Sequence, residues 1–404
     1  MSFVTHLECS KTGKRHEAGK PQNLSEAGKP LFVRYDLEAL KGAITKEELA
    51  TRHYGLWRYH EFLPVTKPEN MVSLGEVISP IIRIPNLLKK LGVKGELIIK
   101  DESRQPTSSF KARGLGLAVS MAKEFGIKHV AIPTNGNAGG ALAAYATRAG
   151  LKSTILCPED TPTVNVNEAV FAGADVYLVN GYINHCGKII GEGKEKVGWF
   201  DVSTMKEPYR VEGKKTLGIE LAEQLGWEVP DAIIFPTGGG TMPIGVWKAF
   251  EELGAMGWIG AKRPKMIVAQ AAGCAPIVEA WENGAETARI WEEAHTAAAG
   301  IRVPAVLADF LILKIVRDSG GHAVAIPEEE IFATWREVAR EEGLLLCPEG
   351  ACAFAAYKAS VKDGRIGPND RVAMFSCATG LKYPMASKTS FVDRTKPIDY
   401  EQFN

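Results

Sequence analysis

Residues 96–134 have the sequence ELIIKDESRQPTSSFKARGLGLAVSMAKEFGIKHVAIPT, and this segment contains a pattern that recurs along most of the chain. A short apolar run, ELIIK, is followed by a polar segment, a stretch of helical periodicity and a second apolar run, HVAIPT. Short β-branched runs are typical of buried strands, and a longer periodic segment between two of them is typical of a crossover helix. The segment therefore predicts a strand–helix–strand unit.

The same alternation continues to the C-terminal part of the chain, so we expect an α/β fold with parallel strands covered by helices on both faces. The further predicted strands are STILCP (153–158), DVYLV (175–179), DAIIFP (231–236), KMIVAQ (265–270) and RVAMFS (371–376). The number of strands predicts either two sheets or one sheet with an inserted lobe. Residues 1–75 lack this alternation, and we expect them to form a helical and loop extension.

Composition limits the function classes. The chain has 404 residues, of which 45% are hydrophobic and 24% charged, as expected for a globular protein large enough for two domains. Lys plus Arg and Asp plus Glu number 48 each, so no basic surface indicates nucleic acid or an anionic membrane as a partner. We therefore expect a small-molecule ligand, no nucleic acid and no membrane association.

The cysteines and the N-terminus predict the compartment. There are seven cysteines, none in a CxxC pair, which favours a reduced cytoplasmic protein without a structural zinc site. The N-terminal residues contain no apolar signal segment, and the most apolar stretch, VPAVLADFLILKIV, is interrupted by Asp309 and Lys314. We expect neither a membrane span nor a metal site.

The segment PTSSFKARG (106–114) contains the first candidate for chemistry. Ser108 and Ser109 precede a predicted helix and could cap its amides, which places Lys111 in the first turn. A cation there opposes the helix dipole, a local conflict often kept for function. Two interpretations remain open from these residues alone: a solvated surface lysine, or an amine that forms an imine with a carbonyl cofactor.

Two further loops follow predicted strands and could bind anions. Gly238, Gly239, Gly240 and Thr241 lie between a strand and a helix, where consecutive glycine amides can converge on a phosphate. They match neither the GxGxxG fingerprint nor the GxxxxGK[ST] loop. In PTNGNAGGALAAY, the turn holds Thr134, Asn135, Gly136 and Asn137, which could present donors to a carboxylate or a phenolate. Each loop could also be an ordinary glycine-containing turn.

Six segments in order resemble the threonine synthase family of pyridoxal-phosphate enzymes, which have the tryptophan synthase β fold. They are PTSSFKARG, PTNGNAGGALAAY, EPYRVEGKKT, IVAQAAGCAPIV, GLLLCPEGACAFAAYK and CATGLK, and the resemblance covers about residues 70–385. It implies a catalytic region at 76–400 made of two lobes, each with a mainly parallel sheet, the smaller at roughly 110–215 and inserted in the larger. It also implies a homodimer.

The resemblance assigns roles by position. Lys111 would hold pyridoxal 5'-phosphate through an imine and act as the general base, with Phe110 shaping the ring pocket. Asn137 would contact the cofactor's phenolic oxygen, and Cys377 or, as the alternative, Ser376 its pyridine nitrogen. The phosphate would lie among the residues of the glycine loop, which are Gly238, Gly239, Gly240 and Thr241. The substrate would contact Ser108, Thr134, Asn135, Gly136 and Arg210.

The resemblance leaves the reaction open between two alternatives. A threonine synthase would convert O-phosphohomoserine to threonine and phosphate, whereas a serine/threonine or hydroxyaspartate-type dehydratase would give a 2-oxo acid. Ala112 and Ala138 stand where the synthase family usually has polar residues, and the GGGT loop is closer to that of dehydratases. Arg210, Lys214 and Lys215 could supply the missing positive charge for a phosphate, or be solvated helix charges. A ligand-sensing or nucleotide-binding protein is the non-catalytic alternative.

Overall fold

Three β-sheets organise the chain in the computed structural model, which describes residues 2–385 and 389–403. The strands are β1 Val4–Cys9, β2 Arg15–His16, β3 Leu31–Tyr35, β4 Ile81–Arg83, β5 Glu96–Asp101, β6 His129–Pro133, β7 Lys152–Pro158, β8 Asp175–Val179, β9 Phe200–Asp201, β10 Ala232–Pro236, β11 Lys265–Ala271, β12 His322–Ile326 and β13 Arg371–Ser376. All seven strands expected from the apolar runs are present.

The helices lie between these strands. They are α1 Leu37–Ala43, α2 Lys46–Thr51, α3 Pro85–Leu91, α4 Lys111–Glu124, α5 Asn137–Ala149, α6 Thr163–Phe171, α7 Ile183–Val197, α8 Tyr209–Gln224, α9 Thr241–Ala255, α10 Pro276–Glu282, α11 Asp309–Asp318, α12 Glu328–Glu342 and α13 Pro348–Lys362. None of these helices is long and apolar enough to cross a bilayer.

The two larger sheets have the expected parallel character. One has six strands in the order β12-β11-β10-β13-β5-β4, in which only β4 runs antiparallel to its neighbour. The other has four parallel strands in the order β8-β7-β6-β9. The α/β expectation is confirmed. All four strands of the small sheet fall between β5 and β10 in the chain, where the inserted lobe was expected; its bounds of 110–215 stay a prediction.

The expectation of a helical and loop extension at residues 1–75 is wrong in part. Strands β1, β2 and β3 form an antiparallel sheet before the first helix. Alternate residues Leu7, Cys9, Leu31 and Val33 are buried in one cluster with residues of α4, including Met121. The alternation covers only a few residues in each strand, β2 has only two residues, and the mostly polar residues 17–30 separate it from β3, so the sequence pattern does not indicate this sheet.

Helices α4, α5, α8 and α9 lie between the sheets and position the candidate site. Helix α8 packs against both α4 and α9, and α4 also packs against α5. Each of these four helices has a buried small or apolar face; in α4 every residue from Ala112 to Ala122 is buried. Because α4, α5 and α9 all begin at the carboxyl end of a strand, their N-termini face a common cleft.

Candidate active site

Lys111 is the first residue of α4 and lines a cleft between the two larger sheets. The turn before it is strained, since Thr107 and Ser108 have φ angles of 56° and 49°, in the left-handed region that non-glycine residues rarely adopt. Such strain persists where the surrounding structure over-determines it, and it clusters at functional sites. The solvated-surface interpretation of Lys111 is therefore not supported by its position.

The segment after β13 holds this turn in place. Phe110 N donates to the carbonyl of Cys377 at 2.9 Å, and Thr379 N donates to the carbonyl of Ser108 at 3.1 Å. Lys382 Nζ donates to the carbonyl of Thr107 at 2.6 Å. These contacts fix Lys111 opposite Cys377.

The expected caps of α4 are absent among the described residues. Phe110 occupies the cap position and makes no side-chain cap bond, and Ser109 Oγ is buried without a hydrogen-bond partner. The strained turn directs both serine side chains away from the helix amides. Ser108 is also not among the residues that line the cleft, so the structure does not bring it together with the other candidate substrate residues.

Gly238, Gly239, Gly240 and Thr241 form one wall of the cleft at the start of α9. None of their backbone amides donates a hydrogen bond to another residue in the described ranges. Gly240 has a φ angle of 78°, and a Cβ at Gly239 would lie 2.5 Å from Thr204 Cγ2. Position 240 thus requires glycine for its positive φ angle, and position 239 requires glycine because a side chain there would clash with Thr204. Four free amides at a helix N-terminus are suited to a phosphate group.

Thr134 through Asn137 form the opposite wall, where β6 leads into α5. Thr134 Oγ1 accepts from Gly136 N at 3.0 Å, which shapes the turn. Asn135 Nδ2 donates to the carbonyl of Arg302 at 2.7 Å, and Asn137 Nδ2 donates to Tyr383 Oη at 3.2 Å. The side-chain oxygens of Asn135 and Asn137 are both buried without a partner. They remain available to a ligand.

Cys377 and Ser376 are separated by the structure. Cys377 lines the cleft, whereas Ser376 does not, and Ser376 Oγ is buried without a partner. Ser376 ends β13 and Cys377 follows it directly, and successive side chains of an extended chain point to opposite sides. Cys377 is therefore the residue placed to contact a bound molecule.

Lys111 is half-buried, Arg210 and Lys214 beside it are buried, and in the described ranges none of the three side chains has a carboxylate oxygen within 4.0 Å of its nitrogens. Burial, and then the charge of Arg210, lowers the pKa of Lys111 to about 8. Burial likewise lowers the pKa of Arg210 and holds that of Lys214 well below its usual value, with Lys111 and Arg210 contributing. The alternative that Arg210, Lys214 and Lys215 are solvated is wrong, because all three are buried.

Arg210 lines the cleft and has one hydrogen bond to protein, from Nη1 to the carbonyl of Val202 at 2.9 Å. Its Nε is buried without a partner, and within the described residues no carboxylate oxygen lies within 4.0 Å of its guanidinium. Glu207 and Asp201 oppose the lowering of its pKa only from beyond this distance, and a buried guanidinium without a paired carboxylate is costly unless an anion binds it. Arg210 is thus suited to a carboxylate or a phosphate of a substrate.

Glu349 is a cleft residue that sequence reasoning missed. It lies in the first turn of α13, and 2% of its surface is exposed. Its segment, GLLLCPEGACAFAAYK, contributed to the resemblance, and an acidic residue directly after a helix-starting proline is a recognisable signal. The residue was not assigned a role because its neighbours across the cleft are remote in sequence.

Two ion pairs connect the small-sheet lobe to the large-sheet lobe beside the cleft. Arg302 Nη1 and Nη2 each lie 2.7 Å from a carboxylate oxygen of Asp160. Lys382 Nζ lies 2.7 Å from Glu168 Oε2. The backbone carbonyl of Arg302 accepts from Asn135 Nδ2, so the ion pair between Arg302 and Asp160 supports the wall formed by Thr134 through Asn137.

These groups fit the cofactor that the resemblance implies. The cleft contains one amine of lowered pKa for an imine bond, a set of free amides for a phosphate and the Asn137 amide, whose Nδ2 has a second N–H beside the one donated to Tyr383. Throughout residues 2–385 and 389–403, no group of three or more His, Cys, Asp or Glu side chains is placed to hold a metal ion. The seven cysteines are free thiols.

Comparisons with known proteins agree with this arrangement. The family model described as pyridoxal-phosphate dependent enzyme matches residues 72–378. A threonine synthase of Methanocaldococcus jannaschii is 36% identical over 381 residues, which is 94% of this chain and 93% of that protein. A threonine synthase of Halalkalibacterium halodurans is 32% identical and covers 81% of this chain and 89% of its own.

Solved structures show the same fold at lower identity. Maize serine racemase superposes with a TM-score of 0.65 at 19% identity, covering 75% of this chain and 88% of its own. Threonine deaminase isoform 2 from Solanum lycopersicum has a TM-score of 0.64 at 22% identity, covering 81% and 92%. The chain therefore belongs to the threonine synthase-like family of pyridoxal-phosphate-dependent enzymes, with the tryptophan synthase β fold and the lyase chemistry of that family.

Proposed function

We propose that this enzyme converts O-phosphohomoserine and water to threonine and inorganic phosphate. When bound, pyridoxal phosphate withdraws electrons from the substrate's α-carbon through an imine bond, which makes the α-proton removable. The relatives that match most of this chain are threonine synthases, which supports this substrate.

The proposed roles follow from the contacts of the cleft. Lys111 binds the cofactor through its amine, and once released it removes the α-proton as a neutral base. The amides of residues 238–241 would hold the cofactor's phosphate, Phe110 would contact its ring, and Cys377 would face its pyridine nitrogen. The second N–H of Asn137 Nδ2, beside the one donated to Tyr383, would donate to its phenolic oxygen. Thr134, Asn135 and Gly136 would bind the substrate's carboxylate, with the backbone N–H of Asn135, which donates to no described residue, as a free donor. Ser108 belongs to the strained turn before α4 and acts only by holding that turn.

The observation that carries the proposal is Arg210. Its buried guanidinium lines the cleft with Lys111, and its one hydrogen bond to protein leaves most of its donors free. A phosphate ester accepts two parallel bonds from a guanidinium. Binding there would stabilise the phosphate both in the substrate and as the leaving group. Lys214 and Lys215 do not line the cleft and do not contact the substrate: Lys214 donates to the carbonyl of Phe110, and Lys215 pairs with two carboxylates.

The second candidate is a serine/threonine or hydroxyaspartate-type dehydratase. It is favoured by the walls of the cleft, where Ala138 and Gly239 present no side-chain donors to a phosphorylated substrate. In that reaction water is expelled and a 2-oxo acid results.

A paired assay tests the two candidates on purified enzyme with pyridoxal phosphate. We expect stoichiometric threonine and inorganic phosphate from O-phosphohomoserine, and little 2-oxobutyrate from threonine. A Lys111→Ala variant controls for contaminating activity. Formation of 2-oxobutyrate without phosphate release would instead establish the dehydratase.

The homodimer and the cytoplasmic location expected from the sequence belong to the same proposal. Light scattering of the purified protein measures the first, and fractionation of the native cells measures the second. A monomer that remains fully active would contradict the dimer.

A further inference from the structure

Glu349 has one carboxylate oxygen that no described residue contacts. The residue lines the same cleft as Lys111, and its Oε2 is buried without a hydrogen-bond partner. A buried carboxylate oxygen that has lost its water and gained no donor is costly. Its position in the cleft indicates that the missing donor belongs to a bound molecule.

The other oxygen of Glu349 is firmly held. Oε1 accepts from Gly300 N at 2.6 Å and from Tyr383 Oη at 2.7 Å. Tyr383 in turn accepts from Asn137 Nδ2 at 3.2 Å, which links the carboxylate to the opposite wall. A Cβ at position 300 would lie 2.6 Å from Oε1, so glycine is needed for this contact. The carboxylate is thus oriented before any ligand binds.

Lys111 and Glu349 face each other across the cleft without touching. Glu349 is one of the groups that raise the pKa of Lys111, against burial and the charge of Arg210, yet no carboxylate oxygen in the described ranges lies within 4.0 Å of Lys111 Nζ. The titratable and charged groups that face the amine are Arg210 and Lys214 from α8, Cys347 and Glu349 at the start of α13, and Cys377 after β13. Of these only Glu349 is a carboxylate, with room for a reacting molecule between it and the amine.

We propose that Glu349 is a second catalytic acid–base residue, whose Oε2 accepts the proton of the water molecule that adds to the substrate. The inference rests on the proposed function, since threonine formation requires water to add at the β-carbon. The water oxygen forms a bond to that carbon, one water O–H bond breaks, and its proton goes to Oε2. The electron pair of the substrate's α,β double bond moves to the α-carbon, which then takes a proton from the Lys111 ammonium, and the carboxylic acid releases its own proton to solvent.

Two variants separate this role from a structural one. Glu349→Gln keeps an oxygen that can accept from Gly300 and Tyr383 but removes the charge and the base. Tyr383→Phe is the matched control, because it removes one bond that orients the carboxylate and keeps the carboxylate itself. Both are assayed as holoenzymes for product formation and for exchange of the substrate's α-proton with deuterated solvent.

The two reactions should respond differently. In Glu349→Gln we expect threonine formation to fall by about 10²- to 10⁴-fold while α-proton exchange, which depends on Lys111, changes by less than about 10-fold. Tyr383→Phe should lower both reactions modestly and together. An equal loss of both reactions in Glu349→Gln, or no loss of product formation, would overturn the proposal.

A second measurement needs neither cofactor nor substrate. Acetic anhydride labelling of the cofactor-free protein, with Lys111 followed by mass spectrometry, should have a midpoint near pH 8 in the wild type. Glu349→Gln removes a negative charge that raises the pKa of Lys111, so its labelling midpoint should move to lower pH. In Tyr383→Phe the midpoint should remain at the wild-type pH. An unchanged or higher midpoint in Glu349→Gln would overturn the placement of this carboxylate.

The outcomes distinguish this inference from the proposed function. If the wild-type enzyme releases no phosphate from O-phosphohomoserine, the proposed reaction fails and the water-addition step fails with it. The labelling midpoint is independent of the reaction and still decides whether Glu349 is the carboxylate that faces Lys111.

Discussion

Helix α8 carries buried cations of two kinds, and the contrast between them locates the site. Lys215 Nζ lies 2.7 Å from Glu212 Oε2 and 2.8 Å from Glu252 Oε2, so its charge is compensated by protein. Arg210, at the start of the same helix, donates its backbone N–H to Glu207 at 3.2 Å, but in the described part of the chain no carboxylate oxygen lies within 4.0 Å of its guanidinium. Both side chains are removed from water. Lys214 of the same helix is also buried without a paired carboxylate, but it does not line the cleft. The site is therefore marked by a buried cation that both lacks a paired carboxylate and lines the cleft.

The compensated cations hold helices together. Arg113 in α4 lies 2.7 Å from Glu102 and 2.8 Å from Glu220 of α8, and all three side chains are fully buried. Lys248 of α9 lies 2.9 Å from Glu212. Tyr35 of β3 donates to Glu212 at 2.8 Å, which connects the N-terminal sheet to α8. These pairs fix the α4–α8–α9 layer on which Lys111 and Arg210 are mounted.

The largest expected effect is at Lys111. Lys111→Ala should lower turnover by about 10⁴-fold or more, because both the imine bond and the general base are lost. The free energy of unfolding should not fall, since a buried cation without a partner is removed. Steady-state kinetics and urea unfolding measure the two quantities, and a variant that kept a hundredth of wild-type turnover would contradict the assignment.

Among the cations that are paired with carboxylates, Arg113 should contribute most to stability. Arg113→Gln should reduce the free energy of unfolding by about 3–5 kcal/mol, because it leaves Glu102 and Glu220 buried with too little positive charge. The urea midpoint of the cofactor-free protein checks this. Arg210→Gln is the matched control and should leave the midpoint unchanged or raise it. Equal destabilisation by both substitutions would remove the contrast between the two kinds of cation.

Arg210→Gln should act on the substrate instead. A hydrogen bond to a charged group contributes about 1.5–3 kcal/mol, which corresponds to roughly a 10- to 150-fold rise in KM for a phosphorylated substrate. Binding of the cofactor, followed by its absorbance, should change little. A KM that is unchanged by the substitution would show that the substrate's phosphate binds elsewhere.

The pH dependence of cofactor binding sharpens the contrast further. Because burial and Arg210 lower the pKa of Lys111 to about 8, the neutral amine predominates above that pH and declines tenfold per pH unit below it. The rate of imine formation by the cofactor-free protein should therefore rise up to about pH 8 and then level off. Arg210→Gln should move the plateau to higher pH, since it removes a charge that lowers this pKa. A rate of imine formation that rose steadily to pH 10 would contradict the lowered pKa of Lys111.

The smallest effect is expected at the exposed edge of the cleft. Asp160→Asn weakens the ion pair to Arg302, and exposed pairs contribute only about 0.2–1 kcal/mol. We expect KM to rise by less than about fivefold, with turnover nearly unchanged. Raising the salt concentration should reproduce the change in the wild type, because exposed charges are screened. A large loss of turnover would mean that this pair positions the catalytic groups directly.

Much of the fold follows from local sequence patterns. Buried parallel strands are rich in continuous β-branched runs, so segments such as STILCP and DAIIFP can be recognised as strands from the sequence. The candidate loops can then be predicted because each follows directly after such a strand. The N-terminal sheet escaped prediction because β1 and β3 pair across a long loop and bury only alternate residues.

The distinction between cations on α8 could not be predicted from the segment YRVEGKKT. The residue types are those of a solvated helix. Lys215 pairs with Glu212 within the segment, but its second partner, Glu252, lies in α9, so only the packing of α8 against α9 shows that this cation is buried and compensated. For the same reason the sequence did not identify Glu349, whose contacts are Gly300 and Tyr383.

The central claim is that the uncompensated amine at position 111 binds the cofactor, whereas the other buried lysines of this layer do not. Borohydride reduction of the holoenzyme, followed by peptide mapping, tests it directly. We predict a pyridoxyl group on Lys111 and none on Lys214, Lys215 or Lys248. An unmodified Lys111, or label on any of the other three, would contradict the account.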